Sequence, residues 1–348
     1  MTLYDKLFLS NLRIIMVEIS VIITAYNRKD FYMEAIESVL NQTLPNDKYE
    51  IIFVSNFRDA EEFCKKERIK FIYSNELYMG RQVIDGIKVA KGRIISFLDD
   101  DDMFERNKLE EVYENFKDKN LSVYRDRIRY FSNGKIIYKK EFEEKIDPLL
   151  ITKKDGENYV RMFKRNKFGY HSNSTFSILK ELLLNKIEYL YKMTIAVDLL
   201  YFTIGFAYKN PIYYDNKNLT LYRLSYSSSM RTLDSIEKFL KDSFYRSYNY
   251  CLDHLTVYSM LDDEIKSVYK YEVSLSKVRH KFLSKKPMSE CKATISDYLR
   301  VLKNSHIGSH KGLVFASLLP FSLRLRFIKK VYEKQRSTLE ALLHNYSI

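Results

Sequence analysis

The chain has 348 residues, a net charge of +13, 46% hydrophobic residues, and only 9 glycines and 5 prolines. That length and composition supply one catalytic-size domain plus an appendage, with ample material for a core, and exclude a linker-rich or disordered protein. The 29 tyrosines, with no tryptophan, are read as core and surface filling rather than as a functional signal.

Residues 1–16 are set apart as an N-terminal extension of undetermined status. Leu3, Leu7 and Ile14 make a small apolar face without the small-residue cleavage site of a secretory signal, and Met16 stands just before the first strand. From there strand and helix signals alternate. Ile19 to Thr24 is a β-branched run, followed by Tyr32, Ala35, Ile36, Val39 and Leu40 at helical spacing. Ile51 to Val54 predicts a second strand, Ala60, Phe63 and Cys64 a short helix, and Phe71 to Tyr73 a third strand. Val83, Ile84, Ile87 and Ala90 mark a helix ending near Gly92. Ile94 to Leu98 then reads as a buried strand that delivers Asp99, Asp100, Asp101 and Asp102 to its carboxyl end, where open α/β sheets place ligands. Four adjacent carboxylates repel one another, and a hard divalent cation shared with substrate phosphates would relieve that repulsion. The bland alternative is a solvated turn or an acidic helix N-terminus.

In the second half, Leu109, Val112, Tyr113 and Phe116 predict a helix, and Ile128 to Phe131 with Lys135 to Tyr138 a hairpin around Ser132-Asn133-Gly134. Leu182 to Tyr191 reads as a helix, and Leu219 to Arg223 as a closing strand. His171, in Phe168 to Ser174, is read as a surface or structural residue in a stretch suited to facing an acceptor. Six histidines without metal-ligand spacing give no zinc site. Cys64, Cys251 and Cys291 are far apart and odd in number, which predicts reduced thiols and a cytoplasmic protein. No P-loop or nucleophile-elbow pattern is present.

Past Leu233 the pattern turns helical. From Lys277 to Arg336 fifteen Lys and Arg face only Glu290, Asp297 and Glu333. Phe321, Leu325, Ile328 and Tyr332 form an apolar stripe beside Arg324, Arg326, Lys329 and Lys330. This is the pattern of peripheral contact at the cytoplasmic membrane face; the competing reading packs the stripe on the rest of the chain. The longest apolar stretch there, Gly312 to Leu319, is too short to span a bilayer.

Several motifs in register, Ile19 to Arg28, Ala35 to Gln42, Gly80-Arg81-Gln82, Ala90-Lys91-Gly92 and Phe97 to Asp102, resemble the opening of the family 2 glycosyltransferases. The resemblance covers about Val17 to Met230. It implies a GT-A fold: a Rossmann-like α/β architecture with a mostly parallel central sheet flanked by helices, here with a C-terminal α-helical extension. It divides the chain into a nucleotide-sugar-binding half, 17–105, an acceptor-binding half, 106–233, and a basic helical extension, 234–348. The function implied is inverting, metal-dependent transfer of a sugar from a nucleoside-diphosphate donor to a glycan or lipid-linked acceptor hydroxyl, an activity of the hexosyltransferase type. Thr24, Ala25, Tyr26, Arg28, Ser55, Asn56, Arg81, Asp99 and Asp100 would contact the nucleotide sugar, Asp101 and Asp99 would hold Mn²⁺ or Mg²⁺, and Asp198 would be the catalytic base. Two departures stand out. Ser55-Asn56-Phe57-Arg58-Asp59 replaces the usual Asp-Asp-Gly-Ser run whose acid helps read the base, and Val197 replaces the glutamate before Asp198. They leave open a catalytically degenerate nucleotide- or glycan-binding relative. A basic nucleic-acid-binding protein is the third reading, with no nucleic acid expected under the first two.

Overall fold

A computed structural model describes residues 17–132, 134–137, 147–152, 172–208, 210–225, 233–305 and 308–345. The expectations for residues 1–16, His171 and the hairpin tip at Asn133 fall outside these.

The described strands form one ten-stranded mixed sheet in the order β3-β2-β1-β4-β9-β6-β10-β5, with β7 on β6 and β8 on β10. Its first half is parallel: β1 (Ile19–Ala25) lies between β2 (Tyr49–Ser55) and β4 (Ile94–Asp99), with β3 (Lys70–Tyr73) at the edge. The helices α1 (Tyr32–Leu40), α2 (Glu61–Lys66) and α3 (Met79–Val89) make the crossovers. β1 is buried along its whole length, as expected of a strand covered on both faces.

The second half adds β5 (Met103–Phe104), α4 (Lys108–Lys119), β6 (Val123–Ser132), β7 (Lys135–Ile136), β8 (Leu149–Ile151) and β9 (Phe176–Leu179). Then follow α5 (Lys180–Leu184), α6 (Ile187–Leu190), α7 (Val197–Ala207) and β10 (Ile212–Arg223). β9 runs antiparallel between β4 and β6 and joins the two halves of the sheet. β6 begins five residues before the apolar run that announces it. Arg125 and Asp126 precede that run in sequence and hide the start of the strand, yet both are buried, Asp126 against Lys108 and Arg125 between the rings of Tyr214 and Phe176.

The C-terminal region consists of α8 (Ile236–Met260), α9 (Asp263–Leu283), α10 (Ile295–Asn304), α11 (Gly308–Leu318) and α12 (Phe321–Asn345). Val257, Leu261, Ile265, Tyr269 and Val273 of this region share one apolar core with Ile22, Phe97, Phe176 and the face of α7. No described helix is long and apolar enough to cross a membrane.

One expectation is corrected here. Cys251 of α8 and Cys291 are joined in a disulfide, their Cα atoms 6.1 Å apart; forty residues of sequence separation say nothing about distance once antiparallel helices fold back. Cys64 alone is a free, buried thiol, and the cysteine argument for a reducing compartment lapses. The apolar stripe of α12 follows the packed reading: Ile328 and Tyr332 lie with Leu233, Phe239 and Phe282, because a helix covered by its neighbours buries its widest apolar face there.

Candidate active site

Strand register assembles the site. Thr24 lies beside Val54 on one side and Asp99 on the other, and Ala25 beside Ser55, so the carboxyl ends of β1, β2 and β4 share one edge. Just beyond β1, Asn27 takes a left-handed conformation (φ 56°), and Arg28 turns back over the acid cluster. Its guanidinium is ion-paired to Asp100 and, at 2.7 Å, to Asp101, the forked geometry that suits carboxylates. Burial works against the charge on Arg28, but the hydrogen bond to Asp100 and the charges of Asp101 and Asp100 outweigh it and raise its pKa.

The remaining acids are held from the other half of the sheet. Asn173 Nδ2 donates to Asp99 (2.8 Å), Ser174 Oγ to Asp102 (2.6 Å) and the Arg223 amide to Asp102 (3.1 Å). Arg223 Nε donates to the Asp101 carbonyl (2.8 Å), and its guanidinium lies between the rings of Phe31 and Phe131. Under this layer Lys108, fully buried, donates to Asp126, to the Ser174 carbonyl and to Thr220 Oγ1. A buried ammonium is tolerable only with such a full set of acceptors. Burial depresses its pKa and the charge of Asp126 partly restores it.

These contacts do not neutralise the cluster. Desolvation first, then the charge of Asp101, pushes Asp99 up to about 7 against the Asn173 hydrogen bond. Desolvation pushes Asp100 up to about 6 in spite of Arg28, and desolvation with the charges of Asp101 and Asp99 carries Asp102 well above the usual range. Thr24 Oγ1 and Asn173 Oδ1 are buried with no hydrogen-bond partner among the described residues.

That donor set fits a hard divalent cation in a limited sense. Asp99, Asp101 and Asn173 Oδ1 offer oxygen only, the chemistry Mn²⁺ and Mg²⁺ accept. Among the described residues no three His, Cys, Asp or Glu side chains converge into a ready cage. Such an ion would therefore depend on one or two carboxylates together with ligand phosphates, as Mg²⁺ commonly does.

The other expected residues are placed as follows. Ser55 Oγ is engaged in its own turn, with the amide and carbonyl of Phe57 both at 3.0 Å. Asn56 and Asn27 lock each other by two hydrogen bonds, Asn27 N to Asn56 Oδ1 and Asn56 Nδ2 to Asn27 Oδ1. Tyr26 is half-buried beside them. Arg81, on the first turn of α3, pairs with Glu76 (3.2 Å) and stacks on Tyr78 and Tyr191, so its guanidinium is held at the rim.

Asp198 lies in the first turn of α7. Desolvation pushes it up to about 6, against the Leu199 amide and the charge of Arg125. One helical turn on, Tyr201 stacks on Phe97 of β4 with ring centroids 4.2 Å apart, and burial first, then the charges of both Asp198 and Asp99, raise its phenol. The two acids thus flank one buried tyrosine.

Residues 20–184 match the glycosyl transferase family 2 model. Over that segment, just under half of the chain, it is similar to glycosyltransferase family 2. The chain is 30% identical over 136 residues to a poly(ribitol-phosphate) beta-glucosyltransferase of Bacillus spizizenii, covering 36% of this chain and 21% of that protein. It is 26% identical over 192 residues to the poly(ribitol-phosphate) beta-N-acetylglucosaminyltransferase TarP of Staphylococcus aureus, covering 50% and 58%. The chain thus spans less than two thirds of either relative. In structure it is similar to S. aureus TarS 1–349, solved in complex with UDP-GlcNAc, with a TM-score of 0.51 at 16% identity over 94% of this chain and 92% of that one. That likeness shows the GT-A fold with its helical C-terminal region.

Sequence reasoning missed Asn173, Ser174, Lys108 and Asp126 as parts of the acid cluster's support. No local signal marks them, since Asp126 stands between Arg125 and Arg127 and Ser174 lies in the polar run 171–175.

Proposed function

We propose that the chain is an inverting glycosyltransferase that moves a sugar from a nucleoside-diphosphate donor to a hydroxyl of a polyanionic, polyol-phosphate glycan. The observation that carries this reading is the buried acid cluster at the end of β4, left short of positive charge, with the desolvated Asp198 on the far side of Tyr201. A divalent cation held by Asp99 and Asp101 would supply Lewis-acid stabilisation of the leaving diphosphate. Asp198 takes the proton from the acceptor hydroxyl, whose oxygen forms the new bond to the anomeric carbon from the face opposite the leaving group. The bond from that carbon to the diphosphate oxygen breaks, and the nucleoside diphosphate departs with the electron pair. Raised to about 6, Asp198 is ionised at neutral pH while still basic enough for the transfer.

The nucleotide's phosphates are assigned to Arg28 and Arg81, since guanidinium forks suit phosphate. Ser55, engaged in its own turn, and Asn56, bonded to Asn27, are reserved for shaping the base pocket. The poly(ribitol-phosphate) relatives and the basic C-terminal segment support a polyanionic acceptor, because the cationic side chains between residues 277 and 336, apart from the buried Arg324, complement a phosphate polymer. Peripheral contact with an anionic membrane belongs to the same reading, through Leu323, Phe327 and Val331, which are exposed on α12, beside Arg326, Lys330 and Lys334. A cytoplasmic location is part of that proposal.

The test is calorimetric binding of UDP, GDP and dTDP, each with Mn²⁺ and again with EDTA, followed by nucleotide release from the matching nucleotide sugar with poly(ribitol phosphate) as acceptor. Metal-dependent binding and release support the reading. Folded protein that binds none of the three nucleotides sinks it, and binding without release across a panel of sugars and acceptors favours the degenerate binder.

A further inference from the structure

We infer that Asp253, a carboxylate of the C-terminal helix α8, is a positioning residue for the active site: it holds the loop 193–196 from which both Asp198 and the Arg81-bearing helix take their places. The inference rests on the proposed roles of Asp198 and Arg81.

Asp253 is fully buried and both its oxygens are saturated. Oδ1 accepts from the Thr194 amide (2.6 Å) and the Thr194 hydroxyl (2.9 Å), and Oδ2 accepts from the amides of Ile195 (3.0 Å) and Ala196 (2.8 Å). Three consecutive backbone N–H groups converging on one carboxylate form an anion cradle. Ala196 is the residue before α7 and has no side-chain cap of its own; Asp253 instead binds its amide and those of the two residues before it, and so anchors the chain that leads into the helix. Asp198 follows two residues later.

The same loop carries the donor-side helix. The Thr194 carbonyl accepts from the Met79 amide (2.9 Å) and the Met193 carbonyl from the Gly80 amide (3.3 Å), which fixes the first turn of α3. A Cβ on Gly80 would stand 2.0 Å from the Leu190 carbonyl oxygen, so backbone meets backbone there without slack. Arg81 follows, and it stacks on Tyr191 with its Nε 3.4 Å from the Tyr191 carbonyl. One carboxylate from the helical region thereby sets the distance between the proposed base and the proposed phosphate-facing arginine. An asparagine at 253 would turn an N–H₂ toward backbone N–H donors and lose at least one pair of these bonds. The C-terminal helices are on this account a structural half of the catalytic centre.

The experiment uses the full chain with Asp253→Asn, Thr194→Val, and Asp297→Asn as control. Asp297 is a buried acid of the same helical region, bonded to Ser274 and Thr294 and making none of the loop contacts. Hydrogen exchange is followed by mass spectrometry over residues 76–84 and 190–202, with 19–25 and 94–98 as reference strands, and release of UDP from UDP-GlcNAc with Mn²⁺ gives kcat and KM. Asp253→Asn is expected to speed exchange in both loop segments by about tenfold or more with the strands unchanged. It should lower kcat by roughly 10- to 100-fold with KM for the donor within about threefold. Thr194→Val acts in the same direction more weakly, and Asp297→Asn leaves both readouts at wild type. Wild-type exchange at 190–202 in Asp253→Asn, or an equal kcat loss in Asp297→Asn, overturns the inference. If Asp253→Asn does not fold, Thr194→Val decides by the same exchange measurement. A wild-type protein that releases no UDP counts against UDP-GlcNAc as donor, while the exchange data still decide whether Asp253 holds the loop.

Discussion

At the sheet edge, burial raises Asp99 to about 7 and Asp100 to about 6, and two buried oxygens beside them, on Thr24 and Asn173, lack partners among the described residues. In the C-terminal helices burial acts as strongly and with the opposite sign on bases, pushing His254 down to about 3 and His280 to about 4. There the groups are matched: His254 Nδ1 is bonded to Tyr269 Oη at 2.9 Å, and His280 to Ser247 Oγ through Nδ1 and to the Met288 amide through Nε2. Desolvation is common to both regions, and the difference is satisfaction. The two histidines settle the cost as neutral, paired groups, whereas the sheet edge keeps acids whose charge nothing in the described chain fully compensates. Buried polar groups left in that state mark a place for a ligand.

The sharpest break of this contrast is Asp198→Asn, which keeps shape and removes the proposed base. It is expected to lower kcat by roughly 10²- to 10⁴-fold while calorimetric nucleotide binding stays at wild type; unchanged turnover would remove Asp198 from the mechanism. Next comes Lys108→Met. Lys108 is the one cation in the site layer bonded as completely as the helical histidines, and its loss strands Asp126, at a cost of about 3–5 kcal/mol in urea unfolding. A loss below about 1 kcal/mol would show that Asp126 simply takes up a proton.

Asp101→Ala tests the uncompensated side directly. Mn²⁺-dependent nucleotide affinity should fall by roughly a hundredfold, about 2.7 kcal/mol, with EDTA-insensitive binding unaffected; equal affinity with and without metal in the wild type would contradict the assignment.

The smallest effect is one of pH. Asp99 is raised in the folded state, so above about pH 4 the unfolded chain has lost a proton that the folded chain keeps until about pH 7. Its contribution to stability therefore falls as pH rises through that window. The two histidines are depressed, so they add stability as pH rises toward the ordinary value near 6.5, and the wild-type melting curve mixes both signs. The difference between Asp99→Asn and wild type, melted in EDTA, isolates the acid. It should favour the mutant increasingly from pH 5 to pH 8, by several degrees at about 2–4 °C per kcal/mol. A difference independent of pH would mean that Asp99 titrates normally.

Much of the first half was legible before any coordinates. β1, β2 and β4 are buried on both faces and so appear as unbroken apolar runs, and the acids at the end of β4 follow directly in sequence. The second half was harder for a definite reason. β6 buries Arg125 and Asp126, and β9 is a four-residue strand with two serine-containing approaches, so neither shows the periodicity of a covered strand. The disulfide between Cys251 and Cys291 was misread because it depends on which helices lie side by side.

By itself the amino-acid order determined the alternation of strands and helices, the family motifs, and the delivery of four aspartates to a strand end, because periodicity and local adjacency are properties of a linear chain. Tertiary structure alone decided that Arg28 covers Asp100 and Asp101, that Asn173 and Ser174 hold the acids from across the sheet, and that Asp253, fifty-five residues after Asp198, holds the loop ahead of it. These are long-range electrostatic and hydrogen-bonding contacts, made only when burial removes water and forces each polar group to find a partner wherever the fold has brought one.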